Sequence, residues 1–294
     1  MKLFFSLFLA LLGVVKGQRR LSYLESVQLQ EICGILPRLA TEFSKEGNGR
    51  RSIYNGVAIN GTQSPWSVYL FFAGEQCSGA LISPRHILTA THCLRYNSTT
   101  YTPILDDSEK ECEDNDMVYT QDNNLFRVFD SSLQPLSSEV SRIVLINMCH
   151  IDNYRNDDLA ILELYEDVQY SNFVRPICTV RNTDFEQLNK FVQVTGFGLS
   201  YRNPDEKKNI TEFPVLRHGW LQIFDKSYSK NFFGAHNLVQ QTGVRPGDSG
   251  GPGYIENGDR NYLMGITSIG SYLDMYFASV GIHANQICQH TGIC

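Results

Sequence analysis

The chain has 294 residues, 42% of them hydrophobic, and a formal net charge of −6 at pH 7. That length and apolar content suffice for a sizeable core, and the acidic balance leaves no basic footprint for nucleic acid. Its eight cysteines include no Cys-x-x-Cys pair, which sets metal-thiolate chemistry aside and favours disulfides formed in an oxidising compartment.

Lys2 is followed by an apolar run from Leu3 to Val15 and by the small-residue boundary Val15-Lys16-Gly17, so residues 1–17 read as a secretory signal peptide. The run is shorter than the roughly 20 residues that span a bilayer, and no later segment comes closer. The mature chain is expected to be secreted and extracellular, with no membrane association once the signal is removed. Sequons at Asn60, Asn97 and Asn209 fit that route.

Residues 18–52 differ in texture from the rest, with a short helix expected near Leu24–Ile32, a polar stretch over Ser44–Arg51 and a dibasic Arg50-Arg51. They read as a pro-segment, and residues 53–294 as the main domain. From there, runs rich in valine, isoleucine and aromatics recur between glycine, asparagine and proline. Strands are expected at Ser67–Phe72, Ala80–Ile82, His86–Ala90, Phe126–Phe129, Arg142–Ile146, Leu159–Leu164, Phe191–Thr195, Trp220–Phe224, Tyr262–Ser268 and Met275–Val280. Between His86–Ala90 and Phe126–Phe129 lies a concentration of acids, Asp106 to Asp122. It lacks the ligand spacing and sharp glycine of a calcium loop and reads as a solvated surface loop. Asn257-Gly258 signals a hairpin of type I′. The fold class is all-β, with antiparallel sheet closed into barrels.

Three short stretches carry chemistry. Gly247-Asp248-Ser249-Gly250-Gly251-Pro252 sets a reachable serine in a turn whose backbone N–H groups can converge on an anion. Thr89-Ala90-Thr91-His92-Cys93 ends an apolar strand, and a disulfide from Cys93 to Cys77 would brace the loop carrying His92. Asp158 immediately precedes the apolar Leu159–Leu162, which carries its carboxylate inward; Asp157, one residue further from that run, is the weaker choice. Taken singly, each has an ordinary reading: a glycine-rich turn, a structural histidine, a loop acid before a strand.

Taken in the order His, Asp, Ser, they resemble the chymotrypsin-family (trypsin-like) serine proteases. Further matches are Ile53-Tyr54-Asn55-Gly56, Ser64-Pro65-Trp66-Ser67-Val68, Val174-Arg175-Pro176-Ile177-Cys178, Val194-Thr195-Gly196-Phe197-Gly198 and Gly265-Ile266-Thr267-Ser268, covering Ile53 to about Val280. The resemblance implies two antiparallel β-barrels with the active site in the cleft between them. It implies a secreted serine endopeptidase that works through an acyl-enzyme on protein or peptide substrates after zymogen processing by an activating protease, with no metal and no cofactor. Ser249 would be the nucleophile, His92 the general base, Asp158 its orienter, and the N–H groups of Gly247 and Ser249 the oxyanion hole. Ile53, once freed, would pair with Asp248. Ser268 matches the serine beside the buried acid, and Gly270 the glycine whose backbone pairs with extended substrate.

Several positions depart from the family pattern. Ser52 intervenes between Arg51 and Ile53, so a cut after Arg51 leaves one residue too many. Gly243 stands where trypsin-like members carry the pocket acid, Arg245 stands in place of a cysteine, and the loop after Gly270 is short and lacks its cysteine. Asp274 aligns with a second pocket-floor position, either receiving a basic P1 side chain or serving as a structural carboxylate. Related enzymes imply Cys77–Cys93 and a Cys33–Cys178 tether to the pro-segment. Cys112, Cys149, Cys288 and Cys294 permit three connectivities, of which Cys112–Cys149 with Cys288–Cys294 is the expected one. Two other functions compete: a catalytically silent homologue that acts as a binding or regulatory module, and a secreted esterase. The esterase reading fails for want of α/β alternation.

Overall fold

The computed structural model describes residues 18–37, 57–72, 74–95, 105–106, 108, 110–120, 126–136, 139–150, 157–198, 214–225, 229–237, 245–270 and 274–294. In chain order the elements are α1 (Tyr23–Ile32), β1 (Val57–Ala58), a 3-10 turn (Gly61–Gln63), β2 (Ser67–Phe72), β3 (Glu75–Leu81), β4 (His86–Thr89), α2 (Thr91–Arg95), β5 (Lys110–Glu113), β6 (Asp116–Tyr119), β7 (Phe126–Phe129), β8 (Val140–Leu145), β9 (Ala160–Leu164), β10 (Cys178–Thr179), β11 (Phe191–Gly196), β12 (Arg217–Asp225), β13 (Phe232–His236), β14 (Pro252–Asn257), β15 (Arg260–Gly270), β16 (Asp274–Ser279) and α3 (Ala284–Thr291).

These strands build two sheets, one from β2–β9 and one from β10–β16 with β1 added at its edge. The first runs β5-β6-β8-β9-β4-β3-β2-β7; the second runs β1-β12-β11-β14-β15-β16-β13, and because β13 also pairs with β12 its six strands from β12 to β13 close into a barrel. All ladders are antiparallel except the short parallel pair β10–β15. The interior strand β9 is buried at every position, Glu163 included, in keeping with the apolar run Leu159–Leu162, whereas β7 alternates buried and exposed as a half-covered strand does. Trp66, fully buried ahead of β2, meets Tyr254 of β14 edge-on at 5.3 Å and joins the two cores. Among the described residues no helix is long and apolar enough to cross a membrane.

Two local expectations need correction. The hairpin between β14 and β15 is present, but Asn257 pairs with Arg260, so its loop is Gly258-Asp259 with positive φ at Gly258 alone. That is not the type I′ turn expected around Asn257-Gly258, which needs positive φ at both central residues. The acidic segment is not simply a solvated loop: it contains the β5–β6 hairpin, and Asp116 is buried there, accepting from His290 Nε2 (2.7 Å) and from the Asn147 N–H (2.7 Å).

The N-terminal arm lies against the main domain along much of its described length. Helix α1 starts at Ser22, which forms a capping box with Glu25. Leu21 and Leu29 are buried with the Cys33–Cys178 disulfide, and Arg260 caps the far end of α1 by donating to the carbonyls of Gln30, Glu31 and Cys33. Glu25 also pairs with Arg85, which pairs in turn with Asp167. The other disulfides are Cys77–Cys93, Cys112–Cys149 and Cys288–Cys294, all as expected.

Candidate active site

His92 is placed by the one-turn helix α2 at the end of buried strand β4, and the Cys77–Cys93 disulfide ties that helix to β3. Asp158 adopts a left-handed backbone (φ 38°), an uncommon conformation for a residue with a side chain. It turns the carboxylate back across the start of α2. Asp158 Oδ1 accepts the His92 backbone N–H (2.9 Å), and Oδ2 faces His92 Nδ1 (2.8 Å). Thr91 Oγ1 donates to the Leu159 carbonyl (2.9 Å), closing the same junction. Ser268 Oγ donates to Asp158 Oδ2, so the buried acid has three donors. With Nδ1 held as the donor, the imidazole presents Nε2 as the basic nitrogen. Burial opposes the imidazolium, yet the charge of Asp158 and its hydrogen bond outweigh burial and hold His92 above its ordinary 6.5.

The turn carrying Ser249 comes from the other sheet and is fastened to the first. The Ser78 N–H donates to the Ser249 carbonyl (2.8 Å), and Ser78 Oγ donates to the Gly247 carbonyl (2.7 Å) while accepting the Phe197 N–H (3.0 Å). Gly250 packs so tightly on the end of β4 that a Cβ there would run into Thr89 Oγ1 and the Ser78 carbonyl. The serine is thereby set beside the strand end that leads directly into His92. No described residue accepts from the Gly247 or Ser249 N–H.

A sequence profile of the Trypsin family matches residues 53–276. The chain belongs to the trypsin family. Among its relatives are a venom protease of Bombus pensylvanicus, 28% identical over 70% of this chain and 83% of that protein, and the CLIP domain-containing serine protease B15 of Anopheles gambiae, 27% identical over 74% of this chain and 62% of that one. Human mannan-binding lectin serine protease 1 is 28% identical over 87% of this chain, a stretch that makes up 36% of its own length.

In this trypsin-family chain the remaining expected positions divide into those among the described residues and those outside them. Gly270 is exposed at the end of β15, and Asp274 opens β16 half-buried, opposite His236 on β13. Asn60 is exposed and caps the 3-10 turn through Oδ1. Ile53, Gly243, Asn97 and Asn209 lie outside the described residues. Asp157 turns away from His92, accepting from His283 Nε2 (2.8 Å), Asn231 Nδ2 (2.8 Å) and Asn147 Nδ2 (3.1 Å). Ser78 was not anticipated, although adjacency to Cys77 was a signal; Thr89, which donates to the Ser78 carbonyl (2.8 Å), had none.

Proposed function

We propose that this chain is a secreted serine endopeptidase that hydrolyses protein or peptide substrates through an acyl-enzyme. Ser249 attacks the scissile carbonyl, and His92 accepts the serine proton and returns it to the leaving amine. Asp158 fixes the tautomer and stabilises the imidazolium. The Gly247 and Ser249 N–H groups stabilise the oxyanion; losing one such donor typically raises the barrier by about 2.7–4 kcal/mol. The observation that carries this reading is the Asp158–His92 contact at 2.8 Å, backed by Ser268 and following the strand end against which Gly250 of the Ser249 turn packs. Gly270 supplies the strand edge along which substrate extends. The signal peptide, the sequons and four disulfides support export.

The test is covalent labelling with a fluorophosphonate, mapped by peptide sequencing. Wild-type protein should carry the adduct on Ser249 and S249A should not. A silent homologue would take up none in any processed form. Pocket chemistry is separable by D274N. A fall in kcat/KM confined to lysine and arginine substrates makes Asp274 the pocket acid, and an equal fall on all substrates makes it structural.

A further inference from the structure

The Asp248 carboxylate is 1% exposed, yet both its oxygens are satisfied within the uncleaved chain. Oδ1 accepts the Gly198 N–H (2.8 Å) and Oδ2 accepts the Arg245 N–H (2.9 Å). Room for it is made by Gly196 and Gly198, where a Cβ would overlap the carboxylate. Two arginines flank this nest. Gly196 lies opposite Arg217 in the β11–β12 ladder, and Arg217 lies opposite Ala58 of β1 on its other side. Arg245 precedes Asp248 by three residues, and its Nε and Nη2 are shielded from solvent. Burial pushes the Asp248 carboxyl up to about 6, while the two amides and the charges of Arg217 and Arg245 pull it the other way. The group is thus ionised at neutral pH with two guanidinium charges in its surroundings, where low polarisability makes them count for more than in water.

The neighbouring backbone follows from that anchoring. The Asp248 N–H donates to the Arg245 carbonyl (2.9 Å) and the Gly251 N–H to the Asp248 carbonyl (3.0 Å), which closes the turn on either side of Ser249. The sequence departs from the family pattern at the two places this arrangement touches: Arg245 replaces a cysteine, and Ser52 separates Arg51 from Ile53. We infer that the Gly198 and Arg245 amides, in the cradle left by Gly196 and Gly198 and with the charges of Arg217 and Arg245 in support, hold the buried Asp248 carboxylate in place of a freed N-terminus, so that the Gly247–Ser249 turn is assembled in the uncleaved chain and Arg245 is a positioning residue for the nucleophile. This rests on the reading of the chain as a protease. It also accounts for a cut after Arg51 leaving Ser52 in front: the new terminus is not needed.

The experiment compares fluorophosphonate labelling of Ser249 in two full-length secreted forms. One is the uncleavable R50Q/R51Q chain; the other carries an enteropeptidase site in place of residues 48–52, cut so that Ile53 is the first residue. The uncleaved form should label within about threefold of the cut form, because breaking a buried charge pairing would cost far more than that. R245M should slow labelling of the uncleaved form by at least about tenfold while slowing the Ile53 form much less, its ammonium taking over; R245K should restore most of the rate. Each variant is first checked for an unchanged thermal midpoint, and R217M replaces R245M if the latter does not fold. Labelling of the cut form alone overturns the inference and leaves the protease reading standing. Labelling of neither form overturns both. Equal labelling of R245M and its parent in the uncleaved form removes Arg245 from the positioning role.

Discussion

Asp158 is held in a left-handed backbone conformation by what surrounds it, and the surroundings are the site: the His92 N–H, the imidazole and the Ser268 hydroxyl all converge on one carboxylate. D158N should leave the fold intact and lower kcat by about 10⁴-fold, the size seen when the orienting acid of such a triad becomes an amide. The base must be neutral to act, and its folded pKa lies above 6.5, so kcat/KM should rise with pH through a midpoint on the alkaline side of 6.5. In D158N that midpoint should move down. His86 is expected to act on stability. Burial, aided by the charges of Arg85, Arg142 and Arg19, pushes His86 down to about 3, while the same imidazole titrates near 6.5 in the unfolded chain. Between those values the unfolded chain binds the extra proton, so stability contributed by neutral His86 is present above 6.5 and is lost as pH falls. The urea midpoint of H86L should fall less steeply than that of wild type between about pH 7 and 4.5.

At the scale of elements, the site was legible because each part is local. A glycine turn, a strand-end histidine and an acid ahead of an apolar run need no knowledge of the rest of the chain, and Ser67–Phe72 and Phe126–Phe129 are strands at the bounds their composition predicts. What stayed hidden depends on distant partners. The β5–β6 hairpin is masked by its own charges, since Lys110, Glu111 and Cys112 are exposed, as an edge strand tolerates. Asp116 is buried only because His290, 174 residues later in the chain, meets it. Helix α3 spans eight residues, too few for a helical period to stand out. Ser78 escaped for the same reason: its role comes from Gly247 and Phe197 in the opposite sheet. S78A should therefore lower labelling of Ser249 as well as stability, by about 1–3 kcal/mol for the buried groups left unpaired. Guanidinium titration and labelling rates on the same samples would show both.

For the whole molecule, the arm of residues 18–37 is joined to the main domain by one covalent bond and many polar contacts. Cys33 and Cys178 are separated by 145 residues, a loop whose closure is worth about 5 kcal/mol by chain entropy alone. After a cut at Arg51 the two pieces should migrate as one band on a non-reducing gel and as two once reduced. The double variant C33S/C178S should lower the thermal midpoint even in the uncut chain. A break in it that freed the arm under native conditions would show that the Arg19, Arg85 and Arg260 contacts do not hold it. The two sheets are also fastened to each other. Buried hydroxyls of Ser64, Ser67 and Thr195 link them (Ser67 Oγ to Thr195 Oγ1, 2.7 Å), beside the Ser78 bonds and the Trp66–Tyr254 contact. A hinge opening at that seam would have to break these buried hydrogen bonds and expose the apolar Trp66–Tyr254 contact to water. For the proposed protease, the cleft between the sheets would accordingly be a fixed die rather than a jaw, and it is the bound peptide that would give up its conformational freedom to fit.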